Sequence, residues 1–140
     1  MAQNFVATVE EWAKKSQARM LAIAQTAIQA VIDDAQTPVA KGGRMRIDTG
    51  FLRASGQASL NGFPSGPTKS TSALKNAYNW DEQNVTLVLL QLAPGDSFFW
   101  GWTAEYAKYR EAKDAFMDLA VQRWQEYVNS ATAEAKRRIP

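Results

Sequence analysis

Apolar residues at steps of three or four run through the first quarter of the chain: Phe5, Val9, Trp12, Met20, Ile23, Ala27 and Val31, broken by a polar gap around Ser16. That period belongs to one face of an α-helix, so the spacing predicts a helix from about Asn4 to Ala35. Its start lies at Asn4, or at Thr8, where Thr8 and Glu11 have the spacing of a capping box. Its end is set by Thr37-Pro38, because the residue before a proline is pushed out of the helical region. A helix of this length reaches about 45 Å at 1.5 Å per residue. Two readings are open: part of it projects or packs on a neighbouring subunit, or a slightly shorter helix lies wholly on its own core.

A second helical pattern closes the chain. Phe116, Ala120, Trp124, Val128, Ala131 and Ala135 predict one helix from about Asp114 to Arg138, with Lys136, Arg137 and Arg138 in the last turn, where positive charge complements the helix dipole. Between the helices, Ala54, Gly56, Ala58 and Leu60 alternate with Ser55, Gln57 and Ser59, the pattern of a strand with a small-residue face. Val85 to Ala93, "VTLVLLQLA", is β-branched and leucine-rich with apolar residues on both faces, and it is expected to be the strongest strand. Phe98, Trp100 and Trp102 share one face of a further strand, and Pro94-Gly95-Asp96 would join the two as an antiparallel hairpin. Residues 61–80, rich in proline, glycine and serine, read as a long loop with a helical turn around 72–78. The expectation is therefore one α+β domain over residues 1–140, an antiparallel β-sheet flanked by long N-terminal and C-terminal α-helices.

Composition removes several chemistries. The chain has 140 residues, no cysteine and no histidine, which excludes disulfides, thiolate metal sites, Cys nucleophiles and a Ser-His-Asp triad. Sixteen basic and 14 acidic residues leave a net charge of +2, less basic than a dedicated nucleic-acid binder. The opening "MAQNFVATVEEWAKK" lacks the apolar core of a signal peptide, so a cytoplasmic place of synthesis is expected. No segment approaches the roughly 20 apolar residues that span a bilayer, so no membrane partner is expected.

The stretch Arg44 to Ser55, "RMRIDTGFLRAS", concentrates the residues that invite a functional reading. Asp48-Thr49-Gly50 spells the aspartic-protease triplet, but that chemistry needs two such carboxylates sharing a proton in a mostly β fold. "GGRMRIDTG" lacks the Gly-rich spacing and the Lys-Ser/Thr of a phosphate loop. The triplet is read instead as a structural turn, with Asp48 accepting backbone N–H bonds, Gly50 supplying an unusual backbone angle, Leu52 plugging the core and Arg53 free for an ion pair. Lys41, Arg44, Arg46 and Arg53 form a basic neighbourhood that suits subunit salt bridges or contacts to DNA phosphates. Phe99, Trp100 and Trp102 are candidates for an interface strand, since one of its two faces needs a cover. Glu105 and Glu111 are helix-surface carboxylates rather than a glycosidase pair. No catalytic, cofactor-binding or metal-ligating residue is assigned.

"TPVAKGGRMRIDTGFLRAS" resembles the "TPVDTGxLRxS" region of the small neck or tail-completion proteins of tailed bacteriophages, the putative tail-component group that includes minor tail protein Z-like proteins. "AEYAKYREAKDAFMDLAVQRW" is similar to that family's later "YAxxxE" segment and final helix, with Ala112-Lys113 where the family carries a glycine. The resemblance implies a virion structural protein, assembled in the host cytoplasm, that forms a homo-oligomeric ring of six in the head-tail neck or at the proximal end of the tail. It implies other neck and tail proteins (connector or stopper, tail terminator or tail tube) as partners and genomic DNA passing through the ring without sequence reading. The alternative from the residues is a small sequence-nonspecific DNA-binding protein using Lys41 to Arg53.

Overall fold

A computed structural model describes residues 2–140, with side chains from residue 11 onward. The order is α1 (Ala2–Ala35), a 3₁₀ turn (Val39–Lys41), α2 (Phe51–Ala54), β1 (Gly56–Ser59), α3 (Glu82–Leu90), β2 (Phe99–Trp102), α4 (Ala107–Asp114), α5 (Phe116–Gln122) and α6 (Trp124–Arg138). The fold is α+β, with a two-stranded antiparallel sheet between long terminal helices. Thr8 lies inside α1, and the side chains of Phe5, Val9 and Thr8 fall outside the described ones.

α1 and α6 form the long axis of the molecule. They run antiparallel: the Arg19 Nε donates to the Ile139 carbonyl at 2.5 Å, and the Tyr127 hydroxyl donates to Asp34 Oδ2 at 2.6 Å. Small residues allow the close approach, with Ala27 and Ala35 of α1 and Ala131 and Ala135 of α6 all buried. The expected single helix over 114–138 is three pieces in the structure, because the chain turns at Ala115 (φ 52°, ψ 35°) and again at Arg123 (φ −93°, ψ 8°). The first turn places Phe116 beneath Trp102; the second lets α6 swing onto α1.

The segment expected to be the strongest strand is α3. Three local features favour helix there. The Asp81 carboxylate caps the first turn by accepting from the Gln83 N–H at 3.2 Å, Glu82 places a negative charge beside the helix N-terminus, and the leucines are good helix formers. Val85 and Leu89, one turn apart, are buried against α1, whereas Leu87 (57% exposed) and Leu90 (70% exposed) face out. The apolar character on both faces thus reflects one buried and one uncovered side of a helix, and it mimics the run of a buried strand.

With 85–93 helical, the Pro94-Gly95-Asp96 hairpin does not exist. β2 pairs instead with β1 in the register Gly56↔Trp102, Gln57↔Gly101, Ala58↔Trp100, Ser59↔Phe99. The expected small-residue face holds: Gly56 and Ala58 are buried, Gln57 and Ser59 less so. Gly56 is required by its neighbour, since a Cβ there would lie 2.6 Å from Cζ2 of Trp100. Asn84 of α3 covers the outer edge of β1 by accepting from the Ala58 N–H at 2.9 Å.

Candidate assembly interface

The Asp-Thr-Gly corner is a structural joint. Gly50 sits at φ 86°, ψ 1°, and a Cβ there would come within 2.4 Å of the Tyr78 carbonyl oxygen. Only glycine satisfies both the left-handed backbone and that approach. The Thr49 hydroxyl accepts from the Phe51 N–H at 3.2 Å, taking the capping role expected of Asp48. Asp48 contributes its backbone: its carbonyl accepts from Asn76 N–H at 2.8 Å, and the Thr49 carbonyl accepts from Tyr78 N–H at 2.9 Å. Phe51 and Leu52 are buried against Met45, Ala104 and Phe116, so Leu52 is the core plug that the sequence indicated.

These bonds dock the far end of the 61–80 loop, which is otherwise without regular structure. The Tyr78 ring meets Phe51 edge-on with centroids 5.2 Å apart, and its hydroxyl gathers the Ser70 hydroxyl at 3.1 Å and the Thr71 N–H at 2.7 Å. Donation from Ser70, then Thr71, stabilises the phenolate and lowers the Tyr78 pKa to about 8. The folded state therefore releases this proton more readily than the unfolded chain, whose tyrosine titrates near 10. Loop docking gains stability from about pH 8 to 10 and loses that gain as the pH falls through 8. Absorbance titration near 295 nm should show one tyrosine ionising near pH 8, missing in Tyr78→Phe. Tyr127, withdrawn from water and donating to Asp34, is pushed up to about 12 and stays protonated throughout.

Between this corner, the Ser70–Ala73 strip and α4 lies a cleft of about 830 Å³, walled by Arg46, Phe51, Tyr106 and Arg110. Its arginines are occupied: Asp114, almost fully buried, holds Arg110 Nη2 at 2.5 Å and Arg46 Nε at 3.6 Å. Among the described residues no three carboxylates or other ligating groups gather where a metal ion could sit.

The basic neighbourhood divides into two kinds. Arg53 is a structural tie: its Nε donates to the Gln36 carbonyl at 2.8 Å, its guanidinium stands 5.2 Å from the Trp80 ring centroid, and Nη2 is 3.9 Å from Glu82. Arg46 is drawn to Asp114. Lys41 and Arg44 are exposed, and among the described residues neither has an ion-pair partner within 4 Å.

The aromatic strand also divides. Trp100 and Trp102, expected as interface residues, are partly buried and pack against the core of their own chain: Trp100 stands edge-on between Trp80 and Trp102, and Trp102 lies 4.9 Å from Phe116, centroid to centroid. The indole rings are large enough to fill the space between sheet, α1 and α5 that the small face of β1 leaves open. Phe99 points the other way and meets Phe63 at 5.1 Å; Phe63 itself is 74% exposed. Exposed apolar surface lies elsewhere, on Trp12 (67%) and Met20 (70%) of α1 and on Leu87 and Leu90 of α3.

Two further side chains hold elements of the fold together. Gln36, 1% exposed, gives its Nε2–H to the Arg53 carbonyl and accepts from Trp102 Nε1, each at 2.8 Å. Glu111 caps α5: its carboxylate accepts from Met117 N–H at 2.9 Å and Asp118 N–H at 3.1 Å. The "YAxxxE" glutamate is thus a helix cap across the turn at Ala115. Alanine in the left-handed region is strained, so Ala115→Gly should raise stability by about 1 kcal/mol, read as a higher denaturant midpoint at unchanged slope.

Compared with known protein families, curated proteins and solved structures, the chain matches none.

Proposed function

We propose that this protein is a structural subunit of a tailed-bacteriophage virion, forming a ring in the head-tail neck or at the proximal end of the tail, through which DNA passes. The observation that carries this reading is α1. The helix runs for 34 residues, about 51 Å, yet between residues 11 and 26 none is buried. Ile139, just past the end of α6, bonds to Arg19, and Trp12, two turns earlier on α1, is 67% exposed. A monomer gains little from an uncovered helix with an exposed tryptophan; a subunit in an assembly covers it.

The Asp-Thr-Gly corner supports the same reading. Its glycine angle, core leucine and arginine tie are all used to join helix, sheet and loop, which leaves no requirement for a catalytic role. We read the protein as a non-enzyme on that ground. The test is genetic. Removing the gene from a phage that carries it should leave filled heads and finished tails that fail to join, with joining restored by added protein. Normal virions lacking the protein would refute the proposal.

A further inference from the structure

The 61–80 loop is fixed to the body at two places. At the near end the Gly66 carbonyl accepts from Gln57 Nε2 at 3.1 Å, the Pro67 carbonyl from the Thr103 hydroxyl at 2.5 Å and the Thr68 carbonyl from the Glu105 N–H at 2.9 Å. At the far end are the bonds from Asn76 and Tyr78 to Asp48 and Thr49. Between these anchors, from Lys69 to Lys75, no residue is buried and Leu74 is 74% exposed, so the stretch gives no side chain to the core. Its polar groups close mostly on one another: the Ser70 hydroxyl donates to the Ser72 carbonyl and accepts from the Ser72 N–H, and the Leu74 N–H donates to the Ser72 hydroxyl. Beyond itself it meets the Ala77 N–H, which closes its last turn on Leu74, and the Tyr78 hydroxyl. That hydroxyl lies 3.1 Å from Ser70 Oγ, 2.7 Å from the Thr71 nitrogen and 3.0 Å from Thr71 Oγ1, while the Tyr78 backbone and ring are held by Thr49 and Phe51.

We propose that Lys69 to Lys75 is a lid on the cleft beside the Asp-Thr-Gly corner, hinged at its two anchored ends and latched by the Tyr78 hydroxyl, and that it opens while the rest of the fold stays intact. Ser70, Thr71, Ser72 and Ala73 form one wall of that cleft of about 830 Å³, opposite Arg46, Tyr106 and Arg110. Swinging this wall outward widens the cleft without moving a buried residue. An opening that breaks a few exposed bonds and uncovers no core belongs to the low end of local unfolding free energies. The latch also responds to pH. Asp48, Arg46, Arg110 and Tyr106 line the same cleft and Lys69 and Lys75 end the lid, but the donors on Ser70 and Thr71 set the direction: they favour the phenolate, so ionisation of Tyr78 tightens the latch.

The test is amide hydrogen exchange and limited trypsin cleavage of the full chain and of Tyr78→Phe, which keeps the ring against Phe51 and removes the latch. In the parent, the Thr71 amide should be protected, but less than the Asn76 and Tyr78 amides, because the lid opens before its anchors do. In the variant, Thr71 should lose its protection and cleavage after Lys69 and Lys75 should quicken about tenfold, since the latch is a few hydrogen bonds of modest net strength. Protection at Asn76 and Tyr78 should persist. The ratio of variant to parent cleavage should widen as the pH rises from 7 to 9, because only the parent gains the phenolate. Equal protection of Thr71 and Tyr78 in the parent would mean that the loop opens as one piece, and it would overturn the lid without reference to any variant. A parent Thr71 amide with no protection, unchanged cleavage in the variant, or a ratio flat across that pH range would remove the latch and overturn the proposal. Cleavage after Arg53 that quickens as much as cleavage after Lys69 would show general loosening and overturn it too.

Discussion

Replacing Gln36 by leucine should destabilise the protein by about 4 kcal/mol. The side chain is buried where α1 ends, and it connects three elements: the Arg53 carbonyl of α2 receives its N–H, and the Trp102 indole of β2 donates to its oxygen. Leucine fills a similar volume but leaves both of those groups without a partner, and each orphaned buried group costs about 1 to 3 kcal/mol. Adding Trp102→Phe removes one of the orphans, so the double variant should lose less than the sum of the single changes. Urea unfolding of the four proteins measures this; strict additivity would mean that the indole bond contributes nothing.

Gly50→Ala should cost about 3 kcal/mol. Placing alanine in the left-handed region costs about 1 to 2 kcal/mol, and relief of the contact with the Tyr78 carbonyl at 2.4 Å requires the loop to move away. The loss should be local before it is global. Backbone bonds from Asn76 to Asp48 and from Tyr78 to Thr49 hold the loop to the corner, so their amides should exchange hydrogen much faster in the variant. The tyrosine that ionises near pH 8 should return toward 10 in the same variant, because its donors on Ser70 and Thr71 depend on that docking.

The terminal helices and the small face of β1 were legible because burial there follows a simple period. Ala27, Val31, Ala131 and Ala135 repeat at helical spacing, and Gly56 and Ala58 alternate. Gly50 was legible because a turn between helix and sheet needs a residue free of Cβ. Val85 to Leu90 was misread because periodicity cannot separate a buried strand from a helix whose outer face is also apolar. The interruptions at Ala115 and Arg123 carried no proline or glycine to mark them. Trp100 and Trp102 show the limit on interface prediction: a tryptophan-rich strand reads alike whether its cover comes from the same chain or from another. Gln36 and Glu111 act over 17 or more residues or across a tight turn, and such pairings exist only once the chain has folded.

On the proposed reading, the chain works as part of a ring at the head-tail junction. The mass of the purified protein by light scattering, alone and then mixed with isolated tails, tests it most directly. The account predicts a closed ring, or a monomer that joins the tail end. A monomer that ignores tails and binds DNA at low salt, with affinity falling steeply as salt rises, would contradict it.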